Sequence, residues 1–200
     1  EASTIKMAAC RGEYEPASFV VTATTPLEAV RIEVGQLSGP GGSWPRKAVD
    51  VRVVKTYYRP TFAGQKATIP TLLVRDESFL DIEPAPTPEE PKRMKNVARG
   101  AFRDTPELQP VQINRRKQFW VTVHVPEAAK PGTYTTTLRI VPQKGDSSEL
   151  TLQVQVHPFE LLGPMLEYSV YYPAYLAGAP WAKERGKEFN QVTAEQMRLE

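Results

Sequence analysis

The chain has 200 residues, with 25 lysines and arginines against 23 acidic residues, and Cys10 is its one cysteine. That length suits one domain, or one domain with a piece of a second, and a net charge of +2 gives no basic field to hold phosphate backbones, so nucleic acid is not an expected partner. A lone cysteine excludes an internal disulfide and a cysteine-rich zinc site, and no apolar run reaches the roughly eighteen residues of a membrane span, so a soluble chain is expected. It opens on Glu1 without a charged and apolar leader; any targeting segment is expected to have been removed or to lie outside the sequence. Nineteen prolines against 12 glycines punctuate the chain and imply many short elements.

Strict alternation of apolar and polar residues, the period of a strand, dominates the first 160 residues. STIKMAAC predicts one strand before Gly12, and Ala17 to Ala23 another. Val30, Ile32 and Val34 share a face opposite Arg31 and Glu33, and Val49, Val51 and Val53 repeat this opposite Asp50 and Arg52. GPGG, residues 39 to 42, lacks the lysine and following helix of a phosphate loop and reads as a turn. In QFWVTVHV, residues 118 to 125, Phe119, Val121, Val123 and Val125 oppose Gln118, Trp120, Thr122 and His124. PEAAKPG then predicts a reversal into a neighbouring antiparallel strand carrying Tyr134, Thr136, Leu138 and Ile140, and KGD at 144 to 146 a turn into a third strand of the meander with Leu150, Leu152, Val154 and Val156. About seven or eight strands, each with one apolar face and no helix among them, call for two antiparallel sheets packed face to face, an all-β sandwich of immunoglobulin-like type. Residues 84 to 110, proline-rich and charged, predict a long exposed excursion.

After Pro158 the pattern changes. YSVYYPAY, residues 168 to 175, predicts a short apolar strand, and Thr193 followed by Gln196 is the pattern of a capping box that opens a helix. The pair reads as the first βα unit of an α/β domain, which cannot satisfy its backbone alone, so the chain is expected to stop inside a second domain. The expected division is residues 1–160 and 161–200.

Chemistry is sparse. His124 lies on an outward strand face and His157 before Pro158, neither with a second ligand at metal spacing, and Cys10 reads as a buried inert thiol. RDESFLDIE, residues 75 to 83, crowds Asp76, Glu77, Asp81 and Glu83 together; paired acids could serve a glycosidic bond, but a solvated loop accounts for them equally well. No catalytic residue, metal ligand or cofactor is expected. Aromatic residues that could stack on sugar faces are Tyr171, Tyr172, Tyr175 and Trp181 in the second segment and, as an alternative, Trp120 or the pair Tyr57 and Tyr58 in the first. Packing between domains concentrates the same residue types.

RGEYEPASFVV, VDVRVVKTYY, LLVRD, LQPVQINRRKQFWVTVHVPEAAKPGTYTTTLRI and LTLQVQVHPFELL, taken in order, resemble the N-terminal β-sandwich of bacterial glycoside hydrolases similar to family 123, including relatives whose barrel is a domain of unknown function. The resemblance runs from about residue 10 to 172. It implies that a (β/α)8 barrel follows, with its first strand near Tyr168, and that the parent protein is extracytoplasmic, periplasmic or secreted. It further implies an acid and a neighbouring carboxylate acting on an N-acetylhexosaminide or related glycoside, with the substrate's acetamido group as nucleophile. Those acids belong to later barrel strands, so none is carried over. The implied partners are the chain's own C-terminal barrel and the carbohydrate substrate. Two other roles remain open, a carbohydrate-binding module and an immunoglobulin-like interaction domain.

Overall fold

The computed structural model describes residues 3–60, 66–83, 95–99, 105–163, 175–176 and 191–192. The chain divides into two compact units, Glu1–Leu161 and Leu162–Glu200. Among the described residues the fold is all-β, and its only helical turn is a single 3-10 turn at Arg46–Ala48.

The first unit is built from two sheets. One takes β1 (Thr4–Ala9), β13 (Ser148–Val156), β12 (Gly132–Val141), β3 (Leu27–Val34) and β10 (Val111–Ile113) in that spatial order, with the two-residue hairpin β4 (Ser38–Gly39) and β5 (Gly42–Ser43) attached to β12. The other takes β2 (Tyr14–Thr22), β11 (Arg116–His124), β6 (Val49–Pro60) and β7 (Lys66–Val74). A separate hairpin pairs β8 (Leu80–Glu83) with β9 (Lys95–Ala98).

The alternation read from sequence becomes the two buried faces. Tyr134, Leu138, Leu152, Val154 and Val156 of the first sheet, and Phe119, Val121, Val123, Val51 and Val53 of the second, belong to one continuous core. Two sheets that bury one face each against a common core make a sandwich. Each of these side chains contributes about 1.5–3 kcal/mol by leaving water. Phe19 and Phe119, directly opposite in the β2–β11 register, stack at 5.2 Å inside that core.

Three expectations are corrected. β11 and β12 are not neighbours; they belong to different sheets, and the PEAAKPG segment crosses from one layer to the other. Both strands carry the same inward alternation, so either placement satisfies their burial, and a loop of that length can span the roughly 10 Å between layers as easily as it can turn back. The sandwich is not wholly antiparallel, because β1 runs parallel to β13 with Ala9 opposite Val156. The stretch 84–110 is not all excursion either, since Lys95–Ala98 pairs antiparallel with Leu80–Glu83, and Arg99 N–H bonds to Phe79 C=O at 2.7 Å.

In the second unit, β14 (Tyr175–Leu176) and β15 (Gln191–Val192) pair in parallel. The rest of YSVYYPAY and the capping sequence from Thr193 lie outside the described residues.

Candidate functional site

Glu77 is where charge concentrates on the first unit. Lys55, on β6, and Lys117, on β11, share the inward parity of Val53 and Phe119, which are directly opposite each other, so two ammonium groups meet at one end of the second sheet. Like charges placed this way repel unless an anion separates them. Glu77, just past β7, supplies it: both carboxylate oxygens accept from Lys117 Nζ at 2.8 Å, and Lys55 Nζ lies 3.8 Å away. All three side chains are largely buried, with 15–21% of their surface exposed. Lys55 also lies 3.9 Å from Asp81, which accepts from Arg99 Nε at 2.9 Å. An open hollow of about 520 Å³ adjoins the cluster, walled by Val20, Val54, Pro70 and Ile82.

A second network holds Asp50, whose oxygens accept from Arg52 Nε at 2.7 Å and Arg75 Nε at 3.0 Å. Burial alone would raise the Asp50 pKa, but the hydrogen bonds and charges of Arg75 and Arg52 outweigh it and hold the carboxyl below its ordinary value. Asp81 is likewise lowered, chiefly by the hydrogen bond from Arg99. Of the acids in RDESFLDIE, Glu77 is largely buried within its ion pairs, whereas Asp81 and Glu83 stay half exposed. Asp76 accepts from the N–H and hydroxyl of Ser78, Glu77 is paired inside, and Asp81 and Glu83 lie on β8 facing Arg99 and Lys95. A general acid for a glycosidic bond must hold a proton near neutral pH, and Asp50 and Asp81, held below the ordinary carboxyl value by their arginines, are biased the opposite way. No group of three metal-capable side chains converges among the described residues.

The aromatic candidates are spread out. Tyr57 and Tyr58 are adjacent on β6, opposite Ile69 and Thr68 of β7, and adjacent strand residues project to opposite faces. The Asn96 side chain clasps the backbone of Tyr58, accepting from its N–H at 2.8 Å and donating to its C=O at 2.9 Å. Trp120, half-buried, sits opposite Ser18 and Arg52, so Tyr58 lies six residues, roughly 20 Å, further along the sheet. The three rings form no common platform. Tyr171, Tyr172 and Trp181 lie outside the described residues, and Tyr175 opens β14 opposite Gln191.

Sequence reasoning missed an aromatic pair that the register creates. Tyr14 and His124, cross-strand partners at the ends of β2 and β11, stack at 4.2 Å with their planes 12° apart. Only the pairing of two strands 110 residues apart in number brings them together. A second stack joins His157 to Phe159 at 5.1 Å.

No helix among the described residues is long and apolar enough to cross a membrane. No curated protein sequence matches the chain. Among solved structures it is similar to a family 123 glycoside hydrolase from Clostridium perfringens, studied for glycolipid glycan hydrolysis, at 15% identity and a TM-score of 0.53. That match covers 81% of this chain and 24% of the other, so the chain spans about a quarter of its length. Weaker likenesses are to a PapD-like domain of human CEP192, at 11% identity and a TM-score of 0.32 over 80% and 84% of the two chains, and to the N-terminal domain of PorA, at 12% and 0.28 over 78% and 89%. Residues 1–142 match the Glycoside hydrolase 123 N-terminal domain, and the chain belongs to that family.

Proposed function

We propose that this domain is the non-catalytic N-terminal β-sandwich of a glycoside hydrolase, and that it supports a (β/α)8 barrel which cleaves glycosidic bonds, N-acetylhexosaminides among them, outside the cytoplasm. The observation that carries the reading is the family match over residues 1–142, which takes in both sheets up to the end of β12. The paired state of the carboxylates supports the non-catalytic half of it, since Asp50, Glu77, Asp81 and Glu83 each face a lysine or arginine. The parallel pairing of Tyr175–Leu176 with Gln191–Val192 is in keeping with a barrel beginning in the second unit, because parallel neighbours need a crossover of a dozen or more residues and 177–190 supplies fourteen. The Clostridium perfringens structure, whose subject is glycolipid glycan hydrolysis, supports glycans as the substrate class.

Replacing Glu77 by Gln and Asp81 by Asn in the full-length hydrolase tests the reading. Turnover of an N-acetylhexosaminide should stay within about twofold of the parent, whereas removing a general acid lowers turnover by about 10²–10⁴. A loss of that size in either variant would place the chemistry in this domain and contradict the reading.

A further inference from the structure

Among the cations of the Glu77 cluster, Lys117 and Arg99 hold hydrogen bonds and Lys55 does not. Glu77 turns both oxygens to Lys117 Nζ at 2.8 Å, and Asp81 accepts from Arg99 Nε at 2.9 Å. The Lys55 ammonium group stands 3.8 Å from the first carboxylate and 3.9 Å from the second, and among the described residues no acceptor lies within hydrogen-bond distance of it. Its side chain is only 17% exposed. An ammonium group carries three donors, and one held largely away from water without an acceptor costs free energy until an anion reaches it.

The hollow of about 520 Å³ is lined by this lysine. Its floor is the outward face of the second sheet, where Val20 of β2 is directly opposite Gln118 of β11, and Val54, next to the inward Val53, continues the row. Ile82 of the β8–β9 hairpin forms a lip, and the Asn96 clasp on the Tyr58 backbone ties that hairpin to β6. Three cations, Lys55, Arg116 and Lys117, line the hollow against one carboxylate, Glu77, so its field is positive. Arg116 is exposed, and its side chain has no ion pair or hydrogen bond among the described residues. Trp120 stands on the same outward face, two residues or roughly 7 Å along β11 from Gln118.

We infer that the hollow binds one acidic sugar residue of a glycan, with its carboxylate or sulfate on Lys55 and Arg116, its ring over Val20 and Val54, and Trp120 as the platform for the neighbouring residue. The choice of a glycan rests on the proposed hydrolase; the choice of an anion rests on the cluster alone. The volume lies within the roughly 300–1,000 Å³ of small-molecule sites. Aliphatic walls suit the C–H faces of a sugar ring, and Gln118 and Thr56 line the hollow as hydrogen-bonding groups for its hydroxyls. A neutral sugar would leave Lys55 without an anion. An acidic peptide fits the floor poorly, because β11 and β6 each have a strand on both sides and offer no free edge to a peptide main chain.

The test titrates the full-length hydrolase with tetragalacturonate, a sulfated galactan tetrasaccharide and a neutral galactan tetrasaccharide, none of which carries the N-acetylhexosamine proposed for the barrel. At least one acidic probe should bind saturably and slow amide exchange at residues 54–56 and 116–118, and the neutral one should bind about tenfold more weakly or worse. Which acidic probe binds decides between carboxylate and sulfate. Lys55→Met and Arg116→Gln should each weaken binding about tenfold or more, as the loss of a charge-assisted hydrogen bond does. Lys144→Gln, which removes an exposed cation from the β12–β13 turn of the other sheet, should leave it unchanged. Arg116 is exposed, so its variant reads the site independently of any stability lost in Lys55→Met. Absence of saturable binding by both acidic probes, an equal loss in Lys144→Gln, or inorganic sulfate binding as tightly as the sugars would overturn the inference. A hydrolase that turns over N-acetylhexosaminides and binds neither acidic probe removes the hollow as a site and leaves the proposed function standing. An acidic probe bound at the hollow by a protein without glycosidase activity removes the proposed function and leaves the site.

Discussion

The backbone N–H of Gly41 donates to the phenol oxygen of Tyr134 at 3.1 Å, joining the β4–β5 turn to a strand 93 residues later. The same oxygen accepts from Lys130 N–H at 3.1 Å and donates to Lys130 C=O at 3.0 Å, while the fully buried ring packs on Trp44 at 4.3 Å. One hydroxyl thus satisfies three backbone groups at the end of the layer-crossing loop. Tyr134→Phe keeps the ring and strands those groups, and should destabilise the domain by about 1–3 kcal/mol in urea unfolding. A Cβ at Gly41 would lie 2.5 Å from the phenol oxygen, so Gly41→Ala should cost about 1–3 kcal/mol by overpacking. The two substitutions act on one contact, and the double variant should fall short of their sum.

Glu77 separates two ammonium groups at the edge of the core, and its removal should be felt more than that of an exposed acid. Glu77→Ala leaves Lys55 and Lys117 face to face with little water access, and should cost about 2–4 kcal/mol. Glu83→Ala, which opens a pair with both side chains more than half exposed, should change stability by about 0.5 kcal/mol or less. Equal effects from the two would show that the Glu77 cluster is solvated.

Asp50 sets a pH dependence whose sign follows from its environment. Burial raises its pKa, but the hydrogen bonds and charges of Arg75 and Arg52 lower it by more, and the folded value lies below the ordinary 3.8. The unfolded chain therefore holds more protons in the window below that value, so this contribution is present above it and is lost as pH falls through the folded pKa. Asp50→Asn should flatten the acid limb of a stability-against-pH curve, and an unchanged acid limb would contradict the assignment.

Burial and then the nearby Glu13 carboxylate raise the Cys10 thiol above its ordinary pKa, and the residue is 3% exposed. A protonated, covered thiol reacts slowly. Labelling with a thiol-directed disulfide reagent at neutral pH should be negligible in the folded protein and complete in denaturant; rapid native labelling would show an open, reactive cysteine.

The strands were legible because each buries one face, so Val30, Val53, Val121 and Leu152 announce themselves by spacing alone. Which strands share a sheet was not. PEAAKPG fits a hairpin or a crossing equally well, and the parallel placement of β1 on β13 depends on pairings 147 positions apart, Thr4 with Thr151. β9 was hidden for a different reason: KNVA offers one large apolar residue, Val97, so it shows no alternation to read, and its place is set by backbone pairing with β8. The acids of RDESFLDIE were visible as residues, but their meaning lay with Lys55 and Lys117, which reach Glu77 through the sheet and not through the chain. Likewise the stack of Tyr14 on His124 exists only after the β2–β11 register brings two distant stretches together.

The accessory role is tested most directly by thermal unfolding of the full-length hydrolase beside a form lacking residues 1–160, with activity on an N-acetylhexosaminide followed through the same temperatures. The shortened enzyme should retain its chemistry at low temperature but unfold and lose activity several degrees earlier, as expected when about 1–2 kcal/mol of stabilisation is removed. An identical melting temperature and activity profile, or complete loss of turnover in a shortened enzyme that remains folded, would contradict it.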